Sequence, residues 1–235
     1  MNEWIARVMP LPVRDEPRTG EPPIREVARF RLRIISPHSR PGIRPAGQRW
    51  DAADLGPVRL LALDTVNPFG GVGGSLDSQQ VAWLVRELDR ARDRYVVVAS
   101  YDSSLTMTSD RTRDGQAPRI LGTEVTSILL AHDQVVAWIS STMHHRAGRR
   151  HGDASHGFWE LPAASDGRDA PLAGGLSIAR REDRGVLIMR GALASGHGPI
   201  WELRDPAVVP ERTPVGSASA RATSAGRPVQ QAGPG

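Results

Sequence analysis

The chain has 235 residues, 39% of them hydrophobic, which allows one domain core with tails. Its 30 basic residues are all Arg and face 26 acidic ones, so the net charge is only +4; the pI near 10.7 reflects the lack of Lys and does not point to nucleic acid. The absence of Cys excludes disulfides, zinc–thiolate sites and thiol catalysis, and no run approaches the ~20 apolar residues of a membrane span.

The N-terminal stretch MNEWIARVMPLPVRDEP lacks the apolar run of a signal peptide, so a cytoplasmic protein is expected. The all-Arg, Gly/Pro-rich composition suits a GC-rich bacterial genome. Residues 1–49 read as an irregular Pro-rich segment, with Pro10, Pro12, Pro17, Pro22 and Pro23 early on. Within it, 25–35 (REVARFRLRII) predicts a short helix and 37–49 a loop. Residues 50–205 carry the patterning of an α/β domain.

That domain begins with Pro57–Thr65 (PVRLLALDT), an apolar run that predicts a buried strand. The glycine-rich stretch from Asn67 to Gly74 follows and predicts a surface turn; it has neither the Lys nor the spacing of a phosphate loop. Asp77 is placed to cap a helix, with Gln80 completing a capping box. Val81, Leu84, Val85 and Leu88 then give 78–92 one apolar face. Arg94–Ser100 predicts a second buried strand, Gly122–His132 a second helix, Gln134–Ile139 a third strand and His156–Leu161 a fourth. Beyond these, 175–181 and 185–190 pair around the turn Glu182-Asp183-Arg184, and 199–204 adds an edge strand. The Pro/Gly/Ser/Ala-rich residues 206–235 predict a disordered tail. Trp83, Trp138 and Trp159 are expected to pack the core. The alternation of strands and helices implies a layered α/β fold with a β-rich C-terminal end.

In such sheets ligands bind beyond the carboxyl ends of the strands. Those ends are Asp64-Thr65, Ser100-Tyr101-Asp102 and Ser140 to His145. The strings LDTVNPFGGVGGSLDSQQVAWL, VVVASYDSSLTM, RILGTEV and HGFWEL, with Ala164-Ser165, occur in that order. Over about residues 57–165 they resemble calcineurin-like metallophosphoesterases, in particular an actinobacterial subgroup. The resemblance implies the C-terminal half of a metallophosphoesterase-type layered α/β sandwich. It also implies a hydrolase in which two metal ions, Mn, Fe or Zn, generate a nucleophile and clamp an in-line displacement of a phosphoester.

The family's metal motifs carry over only in fragments. Its paired histidines fall on Tyr101 and Asp102, and its Gly-His-Thr-His motif falls on Ser141-Thr142-Met143-His144. Its earlier Asp-x-His and Asn-His motifs are absent, and the single Gly-Asp, Gly152-Asp153, lies downstream of where it would be needed. Vestigial metal ligands are therefore limited to His144 and Asp102, fewer than the three or four that a tight site requires. His144, His145, His151 and His156 with Asp153 form a second, unpatterned grouping. A solvated loop is the expected reading both there and for Arg146, Arg149 and Arg150. Asp64 is expected to serve local hydrogen bonding.

The sequence thus reads as a catalytically impaired relic, or pseudoenzyme, with no catalytic residue assigned and no cofactor expected. The alternatives are an active metal-dependent phosphoesterase using the residual ligands, or one half of a split enzyme completed by another chain. Half a sandwich also leaves apolar surface to cover, by the 25–35 segment or by self-association. Neither a nucleic-acid nor a membrane partner is expected.

Overall fold

A computed structural model describes residues 6–12, 24–34, 50–70, 73–142, 148–153, 155–163, 172, 175–193 and 196–206. The tail 207–235 and the loop 37–49 lie outside the described residues. The elements in chain order are β1 (Ala6–Pro10), β2 (Ile24–Ile34), β3 (Asp51–Leu55), β4 (Val58–Leu63), α1 (Ser78–Arg90), β5 (Tyr95–Ser100), α2 (Gly122–Leu130), β6 (Val135–Ser140), β7 (Arg149–Gly152), β8 (Gly157–Pro162), β9 (Gly175–Arg181), β10 (Val186–Leu193) and β11 (Gly196–Arg204). They make a mixed α/β protein with two sheets.

The first sheet has six strands in the order β3-β4-β5-β6-β8-β7. Its four central strands run parallel, and β3 and β7 are antiparallel edges. The central strands are apolar on both faces because both faces are covered. Leu61 and Leu63 of β4 and Val96 and Val98 of β5 meet Leu84 and Leu88 of α1 and Val125 and Leu129 of α2. The alternate residues Leu60, Ala62, Val97 and Ala99 meet the second sheet, of order β1-β2-β9-β10-β11 and antiparallel throughout. That sheet contributes Phe30, Ile178, Leu187, Met189, Trp201 and Leu203, all essentially buried. Each such side chain contributes about 1.5–3 kcal/mol of transfer free energy. The layers are therefore helices, mixed sheet and antiparallel sheet.

The predicted helix at 25–35 is a strand. Ala28, Phe30, Leu32 and Ile34 alternate with Arg29, Arg31 and Arg33, a period of two, and β2 pairs with β9 through Ala28↔Ile178 and Phe30↔Leu176. Read as a helix, those arginines leave no clean apolar face. The Pro-rich segment before it is not wholly irregular either: β1 pairs with β2 from Ala6↔Ile34 to Pro10↔Phe30, with Pro10 ending an edge strand. The two flanking regions thus supply the sheet that covers the apolar back of residues 57–163.

A buried polar contact ties the sheets together. Tyr95 of β5 donates through its hydroxyl to Asp205 (2.9 Å), and Arg180 of β9 donates through Nε to the other Asp205 oxygen (2.6 Å). Burial raises the Tyr95 hydroxyl pKa well above its ordinary value, with the Asp205 hydrogen bond and charge adding to the effect.

Candidate functional site

The carboxyl ends of β4, β5, β6 and β8 converge on one rim, and the loops leaving them are held by side-chain hydrogen bonds. At β4, Asp64 Oδ1 accepts from Val66 N, the local role expected of it. The backbone of Asp64 is gripped from α1: its N–H donates to Gln80 Oε1 (2.8 Å), and Gln80 Nε2 donates to its carbonyl (2.8 Å). Asp77 caps α1 by accepting from Gln80 N (2.8 Å). The capping box is thus only half formed, because the Gln80 side chain pins the end of β4 instead.

Asp102, which follows β5, is buried, at 7% exposure. Its Oδ2 accepts from Thr65 Oγ1 (2.8 Å), and its own N–H donates back to that hydroxyl (3.1 Å). Gly74 lies directly against the carboxylate: a Cβ there would sit 2.4 Å from Asp102 Oδ2 and 2.6 Å from the Thr65 carbonyl. The glycine-rich stretch is therefore more than a surface turn. Gly70 at its start is exposed, but Gly74 at its end is packed between two strand termini. Arg119 seals the same side by donating to Ser75 Oγ (3.0 Å) and to the Ser75 carbonyl (2.9 Å). Burial lowers the pKa of its guanidinium, against the opposing pull of Asp77 and Asp64.

A hydroxyl cluster joins β5 to β6. Ser103 N donates to Thr142 Oγ1 (2.8 Å), Thr106 Oγ1 lies 2.7 Å from Thr142 Oγ1, and the Ser103 and Thr106 hydroxyls are 3.1 Å apart. The Tyr101 carbonyl accepts from Ser141 N (3.0 Å) and Thr142 N (3.1 Å). Deeper in, Trp138 Nε1 donates to Ser100 Oγ (2.7 Å), which donates to the Asp102 carbonyl (2.6 Å). Ser140 Oγ is buried with no hydrogen-bond partner among the described residues.

At β8, Glu160 is buried at 1% exposure. Its carboxylate accepts from Ser104 N (2.7 Å), Ser104 Oγ (2.6 Å) and His151 Nε2 (2.8 Å), and the His151 ring stacks on Phe158. Burial pushes the Glu160 carboxyl pKa up, but the bonds from His151 and Ser104 outweigh it and hold the net value below the ordinary carboxylate range. The carboxylate stands between the serine and the histidine. His151 therefore reaches Ser104 only through Glu160.

Of the two residues named as vestigial metal ligands, His144 lies outside the described residues and Asp102 is bonded to Thr65 and backed by Gly74. His151 is committed to Glu160. His156 lies on the helix side, 2.6 Å from Asp133 and bonded to the Leu130 carbonyl. Asp153 accepts from the Ser155 backbone and side chain and from His156 N in a turn of its own. Among the described residues no three His, Asp or Glu side chains come together in a way that could hold a metal ion. The donor set among the described residues does not fit a binuclear centre.

Sequence reasoning did not single out Ser103, Ser104, Thr106, Thr142 or Glu160 as a connected set. One signal was available for Glu160: a carboxylate inside the apolar strand HGFWEL must find donors, since a buried charge is retained only when paired. No known protein-family profile matches this sequence, and no curated protein matches it. Among the described residues no helix is long and apolar enough to cross a membrane.

Proposed function

We propose that this chain is a degenerate metallophosphoesterase-family protein, a relic of a divalent-metal phosphoester hydrolase that keeps part of the layered scaffold without its metal chemistry. The observation that carries this reading is the fate of Asp102. At a strand end where the resemblance calls for an exposed metal ligand, the carboxylate is buried, accepts from Thr65 and is covered by Gly74. A metal-bound hydroxide needs a metal, and a metal needs several open ligands converging on it. Among the described residues the rim supplies hydroxyls bonded to each other and a glutamate that accepts from Ser104 and His151. Such an arrangement orders loops and does not poise a nucleophile. The stack of helices, mixed sheet and second sheet supports the scaffold side of the reading.

The test is hydrolysis of p-nitrophenyl phosphate and of its bis ester by the full chain with added Mn²⁺, alongside calorimetry with Mn²⁺ and Fe²⁺. No metal-dependent turnover and no stoichiometric binding are expected, and His144→Ala should leave both measurements unchanged. Tight one- or two-site binding, or turnover abolished by His144→Ala, would overturn the proposal and restore the active phosphoesterase.

A further inference from the structure

The connection from β5 to α2 contains one segment that stands clear of the rest of the molecule. Residues 110–118 (DRTRDGQAP) are all exposed. Both ends of the segment are fixed. Ser109 N donates to the Gly74 carbonyl (3.1 Å) and Ser109 Oγ accepts from Asn67 Nδ2 (2.9 Å), while Arg119 holds Ser75. At the tip, Gln116 N donates to the Arg113 carbonyl (3.1 Å), and Gly115 has φ +77°. A positive φ at the third position makes this a type II turn, with Asp114 at the second. A Cβ built at Gly115 would meet nothing within 4 Å. Arg113 lies over the Phe69 ring, and Asp114 has no hydrogen-bond or ion-pair partner among the described residues. Gly115 N donates to no backbone carbonyl among them either.

We propose that Asp114-Gly115 is a site of spontaneous isoaspartate formation in the folded protein, through a succinimide. The inference does not depend on the relic reading. The Gly115 nitrogen attacks Asp114 Cγ. The N–Cγ bond forms as the carboxyl C–OH bond breaks, and the hydroxyl leaves with the amide proton as water. Water then adds to one of the two ring carbonyls. Opening at the main-chain carbonyl routes the backbone through Cγ, which lengthens it by one methylene and frees an α-carboxylate. Opening at the other carbonyl returns aspartate. No oxidant or cofactor takes part, and the mass of the chain is unchanged.

The fold leaves both reacting groups accessible. Glycine puts no side chain in the way of its own nitrogen. The attack requires Asp114 to rotate out of the turn, which is held by one exposed backbone bond and a long contact from Arg113 N to Gln116 Oε1 (3.5 Å). Such a turn opens at little cost. Asp102-Ser103 is the contrast within the same molecule. Its carboxylate accepts from Thr65 Oγ1, and Ser103 N donates to Thr106 Oγ1 and Thr142 Oγ1 (2.8 Å each), so both reacting groups are engaged. Asp166-Gly167, the other Asp-Gly of the sequence, lies outside the described residues.

The experiment is prolonged incubation of the full chain at neutral pH, in native buffer and in parallel in urea. Peptide mapping separates aspartyl from isoaspartyl forms of equal mass. A protease that cuts before Asp but not before isoaspartate identifies the residue. In the folded chain isoaspartate is expected at residue 114, and at least about ten-fold more slowly at residue 102, where buried hydrogen bonds must open first. Urea should narrow that gap. Asp114→Glu, which would need a six-membered ring, should remove the signal at 114 and keep the near-UV circular dichroism of the parent. Because the tip touches nothing and its ends are anchored, the aged parent should keep that spectrum too. No isoaspartate at residue 114 in the folded chain, its appearance there only in urea, or an equal rate at Asp102 in native buffer overturns the proposal.

Discussion

Glu160 offers the most direct test of how the rim is held. Glu160→Ala removes the acceptor of three bonds and strands Ser104 N, Ser104 Oγ and His151 Nε2 in a site that is 1% exposed. Each buried donor left unsatisfied costs about 1–3 kcal/mol. The serine hydroxyl can rotate to another acceptor, whereas the Ser104 amide cannot, so the expected loss is about 3–5 kcal/mol rather than the full sum. For a domain of this size that lowers Tm by roughly 6–20 °C. Glu160→Gln keeps the volume but turns an N–H₂ toward donors, and should cost about 2 kcal/mol. Urea unfolding followed by Trp fluorescence measures both. The pH dependence supplies a second readout. The folded Glu160 carboxyl is held below its ordinary value, so its stabilisation is present above the ordinary carboxylate range and is lost as pH falls through the lowered folded value. Glu160→Gln should flatten that acid limb. A loss below about 1 kcal/mol for Glu160→Ala, or an acid limb unchanged in Glu160→Gln, would refute a structural role for the paired carboxylate.

Tyr95→Phe should cost about 1–3 kcal/mol by removing the buried hydroxyl that donates to Asp205. Because the folded Tyr95 pKa is raised, its contribution is complete below the ordinary tyrosine value near 10 and is lost as pH rises above it, so the alkaline limb of a stability–pH curve should soften in the variant. Phe30→Ala should cost about 3–5 kcal/mol in denaturant unfolding. Arg31→Ala should stay within about 0.5 kcal/mol; the reverse order would return residues 25–35 to a helix. Gly74→Ala drives a Cβ into Asp102 and Thr65 and should cost at least about 1–3 kcal/mol, without the relief of open space that Gly70→Ala has at its φ of +80°. Thermal shift on the two glycine variants distinguishes steric packing from backbone strain.

The central strands and helices were legible because they carry clear patterns: Val81, Leu84 and Leu88 on α1, and the largely apolar runs of β4, β5 and β6. The hairpin at 182–184 was legible from its turn residues. β2 was misread because its arginines break up the apolar signal, although they do so at every second position. β3 (DAADL) and β7 (RRHG) are polar edge strands with no pattern to read; only pairing with β4 and β8 defines them. At the rim, the strand ends could be foreseen from topology, but the partners could not. Ser104 and Glu160 are 56 residues apart, and nothing local in either segment names the other.

The pairing of β2 with β9 has a consequence for how the chain comes into being. The partners Ala28 and Ile178 are separated by about 150 residues of chain. At ribosomal speeds of about 5–20 residues per second, β2 waits roughly 8–30 s for its neighbour to emerge. Among the described strands its other sheet neighbour, already made in that interval, is β1, and such two-stranded ribbons are marginal alone. An exposed apolar strand left waiting is a hazard for wrong association. Arg29, Arg31 and Arg33, set between its apolar residues, keep the nascent ribbon charged and soluble until the far end of the chain arrives to close it.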